Sequence, residues 1–547
     1  MPDFADSKKL PAPTVQTLKQ TLCIVEQIVH DRGLLSLLSI EERRRLLIAI
    51  DRIACPDRTA RKKLTRAFKK RDQVERTDHK AQDELLLAST GIRSQPALSQ
   101  STSRKLTGLR QLKKARPPAP FLPDVAPVRE SACEPGVKPG GEDPEDHFGE
   151  RLNVPRNCYI CKRDFDDIHI FYDSLCPACA ELNWTRRQRT ADLSGRFALV
   201  TGGRVKIGYQ AALKLLRAGS LVVVTTRFPR DAAERFTAEA DSADWLNRLQ
   251  IHGIDLRHTP SVEAFAAHLC ATLPRLDFIL NNACQTVRRP PGFYAHLMAR
   301  ERLPAASLPP VARPLLESYE ALRRGGTPDA PNGESLPAQV EGSLAGIRRA
   351  AELSQIALAP GDAETGSEMF PAGQLDQDLQ QIDLRAINSW RLRLADVPTV
   401  ELLEVHLVNA VAPFILNARL KPLLQRVPTR DKHIVNVSAM EGVFYRAFKT
   451  DKHPHTNMAK AALNMLTRTS ARDYARDGIH MNSVDTGWIT DEDPVEIAER
   501  KTAELGFRPP LDAIDAAARI CDPIFTGLLT GEHVWGNFLK DYQIANW

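Results

Sequence analysis

Four cysteines stand in two pairs, Cys158-Tyr-Ile-Cys161 and Cys176-Pro-Ala-Cys179, with fourteen residues between them. A two-residue gap lets both thiolates of a pair turn toward one ion, and two such turns complete a tetrahedral four-sulfur site. The spacing predicts a structural zinc held by Cys158, Cys161, Cys176 and Cys179, with no coordination position left open for catalysis. In so short a segment the metal's binding energy would largely be its folding energy. His169, between the pairs, is surplus to that set and reads as an ordinary packing or surface histidine.

A second chemical signal is a turn, Thr201-Gly-Gly-Arg-Val-Lys-Ile-Gly208. It follows the short apolar run Phe197-Ala-Leu-Val200 and precedes a helical face of Ala211, Ala212, Leu215 and Leu216 that stops at Gly219. Leu221-Val-Val-Val-Thr225 is the next strand. Strand, glycine turn, helix and strand together present backbone N–H groups and a helix N-terminus to a pyrophosphate. A Cβ in the turn would keep the backbone away from the phosphates.

Later stretches carry the pattern further. Asp255-Leu256, Asn281-Asn-Ala-Cys284, Asn409, Ser438, Lys460 with Ala461-Ala-Leu463, and Asp485-Thr-Gly487 with Thr490 follow the turn in order. In this order they resemble the short-chain dehydrogenase/reductase family over about residues 195–547. The resemblance implies an α/β fold, a Rossmann-type doubly wound parallel sheet, with a nicotinamide dinucleotide across the carboxyl ends of its strands. Thr201, Gly202, Gly203, Arg204, Lys206, Ile207 and Gly208 would line the pyrophosphate. Asp255 and Leu256 would meet the adenine, and Asn281, Asn282 and Ala283 the adenosine ribose. Gly487 and Thr490 would contact the carboxamide. Lys460 would orient the nicotinamide ribose, Ser438 the substrate carbonyl, and Asn409 a relay water. An acidic residue at the end of the second strand would favour NAD; Arg227 stands there instead and can bond a 2′-phosphate, so NADP is expected over NAD. Arg204 would assist.

Two positions depart from the family. Lys206 replaces the middle glycine of the turn. The tyrosine expected four residues before Lys460 is Thr456, in His453-Pro-His-Thr-Asn-Met-Ala-Lys460. A threonine hydroxyl is too basic to exchange a proton near neutrality as that phenol does. His455 is adjacent, but a helical neighbour points about 100° away, so it must lie in a loop before the helix to serve. Tyr445 or His453 could return to the pocket from the long interval after Ser438. The chain therefore reads as an NADP(H)-dependent oxidoreductase acting on a small carbonyl or alcohol with an atypical proton donor. Its alternative is a nucleotide sensor or scaffold without turnover.

The remaining segments must position or accompany this site. Of 547 residues, 43% are hydrophobic and 26% charged, enough for sizeable cores and too little bias for wholesale disorder. Residues 1–120 hold 25 Lys/Arg against 13 Asp/Glu. Apolar residues recur at helical spacing over 14–95, and Arg61–Arg71 is basic with Leu64 and Phe68 four apart. Residues 1–116 thus read as a basic α-helical region, a solvated face or a surface for protein or nucleic acid. The net charge of +6 is too balanced for a dedicated nucleic-acid binder. A Pro/Gly-rich linker over 117–152, a zinc module over 153–190 and the dehydrogenase-like domain over 191–547 follow. Within the last, 288–395 reads as an insertion projecting loosely from the sheet's carboxyl edge as filler and lid. Gly536–Tyr542 reads as a last strand. The family's habit of forming homo-oligomers is a further expectation. No run reaches eighteen apolar residues and no secretory signal opens the chain, so a cytoplasmic protein without a membrane span is expected.

Overall fold

A computed structural model describes residues 14–94, 148–325, 342–359, 361–362, 368–376, 378–446, 449–490 and 492–547. The prolines and glycines of the linker between 117 and 147, most of the loop Gly325–Gly333, and Asp491 lie outside them. The chain divides into two units after Asp83. In the first, the helices Val15–His30 and Ile40–Ala54 bury none of their residues, and Ser39 and Glu42 close a reciprocal capping box on the second. The basic helix Arg58–Ser89 exposes Leu64 and Phe68.

The second unit is built on an eight-stranded sheet. Its strands are β3 (Phe197–Thr201), β4 (Leu221–Thr226), β5 (Leu249–Gly253), β6 (Phe278–Asn281), β7 (Lys432–Ser438), β8 (Ile479–Asp485), β9 (Phe538–Lys540) and β10 (Gln543–Ala545). A separate hairpin pairs β1 (Phe148–Asn157) with β2 (Asp164–His169). The large sheet runs β10-β9-β8-β7-β6-β3-β4-β5, parallel except for β10. Ala198–Val200 and Val222–Val224 are fully buried, as strands covered by helices on both faces must be. Strand order reverses between β3 and β6, and the crevice at that switch point is where such sheets bind ligands.

Three sequence expectations change. The linker was expected to reach 152, but residues 148–152 already belong to β1. The last strand is a hairpin: Asp541 and Tyr542 both take left-handed backbone (φ 49° and 65°) and turn β9 into β10. The insertion does not project loosely. Leu315, Leu316, Tyr319, Leu322 and Ile347 are buried in the main core, and the helix Glu317–Arg324 covers β5, the edge of the sheet. Each fully buried leucine contributes about 1.5–3 kcal/mol, and covering an edge strand removes a template for misassociation. The helical stretch Thr399–Gln425 is long and apolar enough to cross a membrane by length and composition alone, and it leaves the expectation of no membrane span in place. Here Leu416, Leu420, Leu423 and Leu424 are fully buried in the core.

The cysteine module is bound into the same unit. Its helix Pro177–Gln188 carries Arg187, which bonds Asp512 and Asp515 at 2.6 and 2.8 Å, and Arg186, which bonds Asp522 at 2.6 Å. Tyr172 Oη donates to Asp515 at 2.6 Å. These contacts fasten the module to the helix Ala513–Thr530.

Candidate active site

The turn after β3 is closed by β6. Ala283 N–H donates to Thr201 Oγ1 at 3.0 Å, and Asn282 Nδ2 donates to Thr201 O and Gly202 O at 3.1 and 3.3 Å. Gly202 has φ +67°, and a Cβ there would fall 2.9 Å from Ala283 Cα. A Cβ on Gly208 would fall 2.3 Å from Gly202 O. Both positions therefore require glycine. Lys206 keeps the left-handed backbone a glycine would take, at φ +52° and a cost of about 1–2 kcal/mol. Ile207 is half-buried against the core beside it.

The two asparagines of the 281–283 stretch serve the scaffold. Asn281 Nδ2 donates to Asn417 Oδ1 and Asn436 Oδ1, both at 2.8 Å, so this side chain points into a buried amide network and not toward a ribose. Asn436 Nδ2 in turn reaches Thr467 Oγ1 at 2.9 Å, and Thr467 meets Ser483 at 2.8 Å. This buried polar chain ties β6, β7 and β8 to the helices behind them, although Asn281 Oδ1 itself has no partner among the described residues.

At the adenosine end, Arg227 follows β4. Its guanidinium lies over the Tyr294 ring at 4.6 Å and donates to Tyr294 Oη at 2.6 Å, and it forms no ion pair among the described residues. Arg204 differs from expectation: it is buried, paired with Asp231 at 2.6 Å and bonded to Gln380 of the insertion at 2.5 Å. Its charge is already neutralised, so it is no second cation for a phosphate. Asp255 is held by Arg257 at 2.6 Å, and its N–H donates to Gly346 O at 2.8 Å; Leu256 beside it is buried. Asp378, also of the insertion, faces Lys206 and its N–H at the start of the helix Lys206–Arg217. The insertion thus lies against four of the predicted cofactor positions, Arg204, Lys206, Arg227 and Asp255.

At the other end of the crevice the helix Pro454–Arg476 places Lys460 Nζ 2.7 Å from the carbonyl oxygen of Val437, to which it donates. Ser438, the next residue, is 2% exposed and its Oγ has no partner. Thr456 Oγ1 is likewise buried and unpartnered. Asn409 sits in a π-helical turn, Leu407–Val411, where an extra residue swings the side chain out of the regular helix. It bonds Gln285 reciprocally, accepting from N–H at 2.7 Å and donating to O at 3.2 Å.

The three proton-donor candidates separate. His455 lies inside the first turn of the helix, not in a preceding loop, so the helical rotation takes it to Glu401 Oε1 at 3.3 Å without hydrogen-bond geometry. His453 caps the helix in left-handed backbone, its ring stacked on Trp390 at 3.8 Å. Tyr445 is 42% exposed, and burial raises its phenol, opposite to what a catalytic phenol needs. Sequence reasoning missed Trp390, Gln285 and Glu401, whose roles depend on contacts between distant segments.

The cysteine cluster reaches this site indirectly. The four ligand atoms of Cys158, Cys161, Cys176 and Cys179 lie within 4.8 Å of one another, a set that could hold a metal ion. Tyr159, inside the first pair, accepts at Oη from Trp488 N–H at 3.1 Å, and Ile489 packs on the module's core. The module therefore braces the loop Gly487–Thr490. Gly487, at φ +79°, leaves room for Arg519, whose Nη1 a Cβ would approach to 2.2 Å. Thr490 Oγ1 bonds Glu492 at 2.7 Å.

The comparisons agree with this architecture. A profile described as short chain dehydrogenase matches residues 196–296, and one described as Enoyl-(Acyl carrier protein) reductase matches 381–509. The chain belongs to the short-chain dehydrogenase/reductase family. It is 30% identical over 393 residues to uncharacterized protein R665 of Acanthamoeba polyphaga mimivirus, covering 70% of this chain and 74% of that one. It is 33% identical over 151 residues to dehydrogenase/reductase SDR family member 13 of Bos taurus, covering 25% of this chain and 38% of the relative. The chain thus spans well under half the length of that named relative. Among solved structures, the Pseudomonas aeruginosa RhlG/NADP active-site complex aligns with 64% of this chain and 95% of its own, at 18% identity and a TM-score of 0.39.

Proposed function

We propose that the protein is an NADP(H)-dependent oxidoreductase that interconverts a small carbonyl compound and its alcohol, with a structural zinc in its cysteine module. The observation that carries this reading is the trio at the crevice. Lys460 is fixed on Val437 O, and the Ser438 and Thr456 hydroxyls are buried beside the same strand end and helix without partners. Buried hydroxyls left unbonded cost free energy unless a ligand completes them. The residues fit a dinucleotide: Gly202 and Gly208 keep the turn tight at the start of the helix Lys206–Arg217, and Arg227 forms no ion pair among the described residues.

NADPH, when bound, supplies the hydride. Ser438 Oγ would donate to the substrate oxygen and so place the carbonyl carbon. Lys460 would hold the nicotinamide ribose. Asn409 keeps the end of β6 in place through Gln285. Arg227 would bond a 2′-phosphate through charge-assisted contacts. The four cysteines would hold zinc with no ligand position left open.

The test is a fluorescence titration with NADPH, followed by NADPH oxidation against a panel of aldehydes and ketones. Saturable binding with turnover supports the reading. Thr456, which supplies no phenol, favours a second reading, a sensor of NADP(H); binding without oxidation across the panel selects it. Absence of binding removes both.

A further inference from the structure

Carbonyl reduction needs a proton as well as a hydride, and the position of the family's phenol holds Thr456. A buried acid stands on the same face of the sheet as Ser438. In the parallel pairing of β7 with β8, Ser438 is the direct partner of Asp485. Adjacent strands lie about 4.8 Å apart, and partners across a parallel ladder project from the same face. That face is fixed by Asn436 and Ser483, two residues earlier on each strand. Both meet Thr467 of the helix that carries Lys460. Side chains alternate along a strand, so Ser438 and Asp485 project toward that same helix.

Asp485 is 5% exposed and forms no ion pair among the described residues, with Lys540 and Arg519 the nearest cations that act on it. A buried carboxyl outside an ion pair is costly unless it is protonated or completed by a ligand. We propose that Asp485 is the proton donor to the substrate oxygen, in the place the family gives to a tyrosine. The proposal rests on the reading of the protein as an NADPH-dependent reductase.

The step balances. The hydride from NADPH forms the new C–H bond at the carbonyl carbon, and the C=O π pair moves to oxygen. The Asp485 O–H bond breaks and its proton goes to that oxygen, with Ser438 Oγ donating to the same atom. The products are the alcohol, NADP+ and the Asp485 carboxylate, which solvent reprotonates.

The surroundings suit an acid that works near neutrality. Burial pushes the Asp485 carboxyl up to about 6. Lys540 of β9 and Arg519 of the helix Ala513–Thr530 oppose that rise, while Asp541 and Glu441 reinforce it. Tyr159 and Tyr445 are the phenols on which the Asp485 charge acts, raising both. A general acid is most effective when its pKa lies near the working pH.

The experiment compares wild type, D485N and Y445F as full chains. NADPH binding is read by tryptophan-to-NADPH energy transfer, and reduction of para-nitrobenzaldehyde and phenanthrenequinone is followed from pH 5 to 9. Carboxyl titration is read by NMR on protein labelled at aspartate carboxyls. The expected results are a D485N rate at least a hundredfold lower with NADPH affinity within threefold, and a wild-type kcat/KM that falls as pH rises through about 6. A carboxyl titrating near 6 in wild type and missing from D485N is also expected. D485N with undiminished turnover, or Y445F losing turnover while D485N keeps it, overturns the proposal and leaves the reductase reading standing. A wild type that binds no NADPH, or binds it without reducing either carbonyl, overturns the reductase reading and the proposal with it.

Discussion

Lys460 Nζ donates to the main-chain oxygen of Val437 at 2.7 Å, one residue before Ser438. This bond locks the helix Pro454–Arg476 to the end of β7, so the lysine and the serine are positioned by one strand. Lys460→Met removes the donor and leaves a buried carbonyl short of a partner, at a cost of about 1–3 kcal/mol in stability. NADPH should bind at least about tenfold more weakly, equivalent to about 1.4 kcal/mol. Urea denaturation and NADPH titration of the variant check both effects.

Arg227 should set cofactor choice. Its guanidinium is stacked on Tyr294 and forms no ion pair among the described residues. A hydrogen bond to a charged group is worth about 1.5–3 kcal/mol, so Arg227→Ala should weaken NADPH binding by about 10–100-fold. NADH binding should change little. Paired titrations with the two dinucleotides measure the ratio directly.

The insertion should compete with the cofactor. Asp378 places a carboxylate toward Lys206 and its N–H, where a phosphate would bring the same sign of charge. Asp378→Ala should therefore tighten NADPH binding, by about tenfold at most for a partly buried group. Isothermal titration of the variant beside wild type is the check.

Stability should fall in mild acid. His433 Nε2 and His533 Nδ1 are 3.0 Å apart, and the His480 ring stacks on His533 at 4.6 Å. Burial, reinforced by its histidine neighbours, holds His433 well below the ordinary imidazole range. Burial also takes His252 down to about 3. The unfolded chain takes up these protons below about pH 6.5 while the folded chain does not. Stability present above pH 6.5 is therefore lost as pH falls, by up to about 1.4 kcal/mol per pH unit for each such histidine. Urea midpoints at neutral and acid pH should show the loss, and His433→Phe should reduce it.

Zinc should be stoichiometric and structural. Cys176→Ser should lose the ion and free the loop at Trp488, because Tyr159 reaches that loop from within the first cysteine pair. Elemental analysis should give one zinc per wild-type chain and none for the variant. Chelation should raise protease sensitivity around residues 158–179.

Much of this site was legible because its signals are local. The cysteine spacing, the glycine turn between Val200 and Leu221, and the apolar strands each depend on neighbours within a few residues. The insertion was misread because the helical spacing of Leu315, Leu316, Tyr319 and Leu322 does not reveal their partner, the distant edge strand β5. His455 was open because one residue of helix phase decides its direction, and the helix begins just before it, at Pro454. Arg204 looked available because Gln380, which engages it, lies 176 residues further on. The pairing of Ser438 with Asp485 is a property of strand order, which is only implicit in a sequence.

The central claim is that the bend 201–208 holds a nicotinamide dinucleotide with its reactive end toward Ser438 and Lys460. Titration of the full-length protein with NADPH, followed by tryptophan energy transfer and competed with NADP+, tests it most directly. The account predicts saturable binding of one NADPH per chain, displaced by NADP+ and abolished in Gly208→Val. No transfer at millimolar NADPH from correctly folded wild-type protein would contradict it.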